Sequence, residues 1–415
     1  MALMSTACIS KASSIGCLKR LCKVSNSYNV IQLASMTRTA FQEPRAKPAP
    51  YPYWEKQYGS IRQQFMDPMT YRFDENTRIV TVDGPPAIGK TKLCEYLAKE
   101  FGLLYMPPPS HLEDLCFTPT GFDKRELDPK LPPILRSFVL EDFLKNPNDI
   151  RSNTFQINFF LMRMEQYLIA LIHLLSTGQG VVLNRSVYSD LAFADAMLKS
   201  GYVSNDLVKH YMCMRTVPEK NLPEPHIIIY LDAPVETVQE KIKKRGRPEE
   251  VTSKLFTSKF LSHLEKSYKE KYLKPLAKHS HVLVYDWSKD ADYSYVVHDI
   301  ENINFDDTSN GKLSNWSFWT ESEVRDLRLS VVNLEMYFVE AVMRSADLFP
   351  AELCPSSSEI QDSDEIIFNC TGIRYDQRFD HLPLHKVLLA REPHDLLAFR
   401  ETARDLINLT KSKIT

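Results

Sequence analysis

The stretch that most constrains the fold is RIVTVDGPPAIGKTKLCEYLAKEF, running from Arg78 to Phe101. It opens as a β-branched run and then meets Gly84-x-x-x-x-Gly89-Lys90-Thr91. Beyond that, Leu93, Tyr96, Leu97 and Phe101 recur at the spacing of one helix face, and Gly102 stops the pattern. A buried strand, a glycine turn and a helix form the setting a phosphate loop requires, because backbone N–H groups and the helix N-terminus then point at an anion. Gly84 and Gly89 allow the tight backbone. Lys90 is placed to reach β- and γ-phosphates, and Thr91 to offer its hydroxyl to Mg²⁺. Pro85 and Pro86 have no N–H, so the cradle rests on the amides from Ala87 to Thr91. The plain alternative is a strand–helix connection that binds nothing.

The pattern repeats downstream. Short apolar runs at 180–184 (GVVLN), 226–232 (HIIIYLD) and 281–286 (HVLVYD) read as buried strands. Helical periodicity covers 154–176, 190–200, 235–245 and 254–272. Strands alternating with helices predict an α/β fold, a parallel sheet with helices on both faces. Residues 110–150 are proline-rich and read as a long loop or insertion. After Phe305 the alternation ends; helices are expected over 321–343 and 393–410, with a polar stretch between them.

Composition narrows the function. The chain has 415 residues, 43% hydrophobic, enough for one large domain with an appendage or for two domains. A net charge of −2 supplies no global field for nucleic acid or an anionic membrane. The eight cysteines form no C-x-x-C pair, which argues against zinc, a disulfide framework or an iron–sulfur cluster. The most apolar run, 168–175, is too short to cross a bilayer. The first 42 residues contain no acid, five bases and seven serines, the composition of a mitochondrial transit peptide; the alternative is a basic tail. Next comes EPRAKPAPYPYWEKQYG, which reads as an extended arm; its Tyr51, Tyr53 and Trp54, with Trp316 and Trp319 further on, are expected to anchor a partner, the alternative being that they pack on their own domain. The expected division is therefore a leader over 1–42, an arm over 43–77, a phosphate-loop domain over 78–305, and a docking or packing region over 306–415.

Three further motifs fall in a telling order after the loop: FQ at Phe155-Gln156 on a helix, NRS at 184–186 after a strand, and RGRPEE at 245–250. With the loop, they resemble the deoxynucleoside kinases, a P-loop NTPase family. The resemblance implies that Gln156 reads a base, that Arg185 belongs to an acid-Arg-Ser motif, and that Arg245 and Arg247 lie on a mobile lid that closes over phosphates. Alone, the lid segment reads equally well as a solvated helix end whose bases complement the macrodipole. KPAPYPYWEKQY, RFDEN, LDPKLPP, LLSTGQGVVLNRSVYSD, PHIIIYLDAPV and VLVYDWS are similar, more closely still, to the kinase-like accessory subunits of mitochondrial respiratory complex I. That resemblance implies other complex I subunits as partners, a place on the matrix side of the inner membrane reached through protein contacts, and no nucleic acid. A flavin is ascribed to that family, but no residue here selects FAD over a purine nucleotide.

Two departures bear on chemistry. In the kinases a glutamate before proline, just after the second strand, takes the proton from the substrate hydroxyl; here LLYMPPP puts Met106 there. The kinase acid beside the metal is Asn184. The cationic set (Lys90, Arg185, Arg245, Arg247) is complete, while both anionic functions are missing. A cradle that holds an anion without reacting it is expected, with no catalytic residue and no metal ligand assigned. The rivals are an active mitochondrial deoxynucleoside kinase and a free nucleotide-binding regulator.

Overall fold

The computed structural model describes residues 35–42, 45–53, 67, 69–109, 116, 123–131, 133, 136–289, 292–305, 312–316 and 320–333. Five parallel strands form one sheet: β1 (Ile79–Asp83), β2 (Leu104–Met106), β3 (Val181–Asn184), β4 (Ile227–Asp232) and β5 (His281–Asp286), in the order β2-β3-β1-β4-β5. β1 pairs Val80 with Val182 of β3 and with Ile227 of β4. The central strand is buried along its whole length, which is why its sequence shows no polar alternation. Because β1 lies between β3 and β4, a crevice opens outside the carboxyl ends of these strands, where open α/β sheets hold ligands.

The helix after the glycine turn, α1 (Lys90–Phe101), buries Leu93, Leu97 and Phe101, each worth about 1.5–3 kcal/mol of burial. Gly102 ends it in a left-handed conformation, its N–H donating to Ala98 O. In the segment expected to be a loop, a short helix, α2 (Leu140–Lys145), forms. α3 (Arg151–Thr177) runs under the sheet. By length and composition this helix could cross a membrane, a correction to the reading of 168–175 alone, but 78% of its most apolar window is buried inside the fold. It is the core helix, and its apolar length is explained by the sheet it covers.

α4 (Asp190–Ser200), α5 (Asn205–Asn221), α6 (Val235–Arg245) and a short α7 (Pro248–Val251) follow. α5 shows no clear apolar stripe in sequence, because its apolar positions are interrupted by Lys209, Arg215 and Pro218. The helix expected over 254–272 begins as α8 (Ser258–Ser267) and then widens into a π turn over Tyr268–Leu273. That turn buries Tyr268 and Tyr272 side by side. α9 (Tyr293–Glu301) and α10 (Glu321–Asn333) close the described chain. The rest of the helix expected to 343, and the one over 393–410, lie outside the described residues.

The additions to the core gather at the amino end of the sheet. Tyr51 N donates to Ser176 O at 3.0 Å, and the Tyr53 hydroxyl meets His173 Nδ1 at 3.0 Å. Arg72 donates to Ala49 O and pairs with Asp67, which also holds the fully buried Arg328 of α10. Trp316 stacks on His226 at 4.0 Å and donates to Glu224 O at 2.7 Å. Thus Tyr51, Tyr53 and Trp316, expected as anchors for a partner, are buried on their own domain; Trp54 and Trp319 lie outside the described residues. Packing also runs across the boundary expected at 305. Residues 35–42, grouped by composition with the leader, are docked: Met36 is buried, Thr37 and Asn76 exchange two hydrogen bonds, and Arg38 forks onto Glu301.

Candidate nucleotide-binding site

The loop between β1 and α1 is built as its sequence requires. Gly84 has φ of +145°, and a Cβ there would stand 2.7 Å from Leu231 O. Gly89, at φ 99°, caps α1. Ala87 and Arg185 also take positive φ, two of three non-glycine residues that do so among those described. Both flank this crevice, and each such residue costs on the order of 1–3 kcal/mol unless its surroundings hold it. Arg185 is held because its N–H extends the β1 ladder to Val82 O at 3.1 Å.

Lys90 is buried, its Nζ donating to Gly84 O and Pro85 O at 3.2 and 2.6 Å. Arg185 Nη2 reaches the same Gly84 carbonyl at 3.2 Å, and its guanidinium lies over Phe193. Burial, and then the Arg185 charge, hold the Lys90 ammonium well below its usual range, against the pull of Asp83. Asp83 is sealed beneath the loop, accepting from the Tyr272 hydroxyl at 2.6 Å; burial raises its pKa. The π turn therefore has a local consequence: it delivers Tyr272 to the end of β1.

Thr91 faces the crevice and accepts from Asn184 Nδ2 at 3.2 Å, with the Tyr105 hydroxyl beside both. Met106 ends β2 fully buried, in register with Leu183. Glu113 and Asp114, the acids nearest Met106 in sequence, lie outside the described residues. Two carboxylates reach this corner with their fields, Asp83 and Glu95. The first is sealed, and the second lies exposed one turn further along α1. A hard divalent cation prefers charged oxygen ligands, and the groups gathered on Thr91 are neutral. The residues do not fit a bound Mg²⁺.

Gln156, further along the crevice, donates to Asp190 Oδ2 at 2.7 Å. Tyr211 donates to the same oxygen at 3.0 Å, and Arg163 stands 3.6 Å from Oδ1. Burial pushes the Asp190 carboxyl up to about 6, against the pull of Arg163, Tyr211, Arg185 and Gln156. Arg163, Asp190 and Tyr211 were not singled out from sequence. The available signal was Arg163 two helical turns after Gln156, one of only two charges, with Glu165, beyond the first residue of an apolar helix.

The lid arginines turn elsewhere. Arg245 pairs with the buried Glu250, donating from Nε at 2.8 Å, and Arg247, largely exposed, stands 3.6 Å from the same carboxylate. The lid itself rests on α2, with Lys254 N and Ser253 Oγ both donating to Leu144 O. Arg245 is near enough for its charge to depress Lys90. The structure brings Gly84, Gly89, Lys90, Thr91 and Arg185 together, sets Gln156 in the adjoining cluster, and leaves Arg245 and Arg247 latched to Glu250.

A parallel sheet of this order, a phosphate loop at its carboxyl end and an arginine-bearing lid define a nucleoside-kinase architecture. The family model for deoxynucleoside kinase matches residues 80–313, and the chain belongs to that family. NADH dehydrogenase (ubiquinone) 1 alpha subcomplex subunit 10, mitochondrial, from Mus musculus is 38% identical over 265 residues, covering 63% of this chain and 72% of the relative. The Bos taurus protein of the same name is 35% identical over 255 residues, covering 60% and 71%. Those matches make the chain a member of the subunit 10 branch. The deoxyguanosine kinase of Dictyostelium discoideum is 34% identical over 143 residues, covering 34% of this chain and 49% of the relative. A deoxyadenosine kinase from M. mycoides, solved with bound dATP, aligns over its whole length and 54% of this chain, at 18% identity and a TM-score of 0.39.

Proposed function

We propose that this chain is a non-phosphorylating accessory subunit of mitochondrial respiratory complex I, and that its kinase fold holds a purine nucleotide and supports assembly of the complex. The names of its subunit 10 relatives support the assignment to the complex. The observation that carries the loss of chemistry is the pair Met106 and Asn184. A methionine buried at the end of β2 accepts no proton, and an amide donating to Thr91 brings no charge to a metal. What is retained supports holding an anion: Lys90 and Arg185 sit at the loop with the helix N-terminus behind them. The site residues in this reading are Gly84, Gly89, Lys90, Thr91, Gln156 and Arg185, with Arg245 and Arg247 joining if the lid re-pairs. The chain lies on the matrix side, bound through protein contacts. Its leader ends before Ser35, because residues 35–42 are part of the packed domain.

Two measurements test this. Radiolabelled phosphate transfer from ATP to deoxynucleosides is expected at background, and robust turnover would restore the active-kinase reading. On native gels of solubilised mitochondrial membranes the protein is expected to migrate with complex I. Migration alone, with complex I assembly unchanged on depletion, would refute the subunit reading.

A further inference from the structure

The corner formed by Thr91, Asn184 and Tyr105 differs from the rest of the crevice. Elsewhere in the crevice the buried carboxylates are matched by an arginine: Asp190 by Arg163 and Glu250 by Arg245. At this corner an amide N–H points at the threonine hydroxyl oxygen, the lone pair a metal would use, and a phenol stands next to it. An amide hydrogen at that position repels a cation. Meanwhile positive charge on the loop side is ample. Lys90 and Arg185 converge on one carbonyl, Gly84 O, and Arg185 Nε is a buried donor with no hydrogen-bond partner. A buried donor left unmet costs about 1–3 kcal/mol, a cost that an arriving phosphate oxygen relieves.

We infer that this loop takes its polyphosphate without a divalent cation, with Lys90 and Arg185 supplying the counter-charge and Asn184 excluding the metal. The inference rests on the proposed nucleotide-binding reading and adds the ionic form of the ligand: the free nucleotide polyanion, not its magnesium complex. It also gives a second reason for lost turnover. Phosphoryl transfer depends on metal ions to neutralise charge at the transferred group, and a site that selects the metal-free form holds a ligand it cannot activate.

The test is calorimetric titration of the full chain with ATP, ADP and dGTP, once in EDTA and once in millimolar MgCl₂. Affinity is expected to be weaker in magnesium, because the salt converts free nucleotide into the excluded form. Asn184→Asp, with an unchanged thermal melt, is expected to reverse this and bind at least about tenfold tighter in magnesium than in EDTA. Asn184→Ala removes the amide without adding charge and is expected to lose the preference for EDTA without gaining one for magnesium. This second variant keeps the test decisive if the aspartate, placed near Asp83, unfolds the site. Wild-type binding as tight in magnesium as in EDTA, or tighter, would overturn the inference while leaving nucleotide binding intact. So would a folded Asn184→Asp that shows no magnesium preference. Absence of binding in both buffers would sink the nucleotide reading and the inference together.

Discussion

The two ends of the sheet both bury arginines, and they use them differently. At the amino end Arg72 and Arg328 share one carboxylate, Asp67, and Arg72 also satisfies two backbone carbonyls. The charges there are met within the chain, and the elements they join are remote in sequence. At the carboxyl end Lys90 and Arg185 lean on backbone carbonyls of the loop, and the nearby Asp83 is turned to Tyr272. Buried positive charge with its own carboxylate is a clasp; buried positive charge without one is a receptor for an anion.

The comparison breaks most visibly at Asp67. Asp67→Ala leaves two buried guanidinium groups without their carboxylate and is expected to cost about 3–5 kcal/mol of folding stability. Denaturant unfolding measures it, and nucleotide affinity of the fraction still folded is expected to be unchanged. The pH dependence has a definite sign. Asp67 is held below its usual range by Arg72 and Arg328, which outweigh its burial. Its contribution is therefore present above the unfolded carboxylate range and is lost as pH falls through the lower folded value. A loss of nucleotide binding equal to the loss of stability would erase the distinction between the two ends.

Arg185→Ala is the converse. Removing a charged donor from the loop is expected to weaken ATP binding about tenfold to a hundredfold, with little change in the melt. Calorimetry and a melting curve on the same sample separate the effects. If the variant lost stability without losing affinity, the carboxyl-end cluster would be a second clasp.

How far each end could be read from sequence follows from what holds it. The loop was legible because its function is written in backbone: Gly84, Gly89, Lys90 and Thr91 keep fixed spacing whatever surrounds them. Strands β1, β3 and β4 were legible because burial on both faces leaves no polar alternation, and β5, a partly exposed edge strand, was legible as a short apolar run. β2 is three residues long and was placed only through the family resemblance. Asp190 was not legible, since an acid at the start of α4 has an equally good reason to be there in the helix dipole. Tyr51, Tyr53 and Trp316 were misread for a related reason. A tyrosine that anchors a partner and one that packs on its own core have the same chemistry, and the deciding groups (Ser176 O, His173, His226) are supplied by elements far along the chain. The π turn at Tyr268–Leu273 has no compositional mark; its justification is the Asp83 carboxylate at the end of another element.

The amino end also predicts where trimming begins to matter. A chain trimmed to begin at Ser35 sets the reference melt. Removing 1–42 exposes the surface that Met36 covers and breaks the Thr37–Asn76 pair, and is expected to cost about 2 kcal/mol, most of it from Met36. The Arg38–Glu301 fork adds little, being open to solvent. Equal melts for the two truncations would mean that residues 35–42 only rest on the domain.

The smallest expected effect is the one that most directly separates a receptor from a clasp. In the free protein the Lys90 ammonium is disfavoured by burial and by Arg185, so the folded chain on its own gains stability as pH rises. A bound polyphosphate reverses the local balance, because its negative charge favours the protonated lysine. Binding must then take up a proton over the pH range between the two lysine pKa values. ATP affinity is accordingly expected to rise as pH falls through that range, by less than about tenfold per unit, the limit for a single coupled proton. Titrations in two buffers of different ionisation enthalpy measure the uptake directly. Lys90→Met is expected to abolish it while also weakening binding, whereas Asp67→Ala, at the other end of the sheet, is expected to leave the uptake unchanged. A wild-type affinity that rises with increasing pH would mean that Lys90 is already fully charged beneath the loop and that some other group controls the anion.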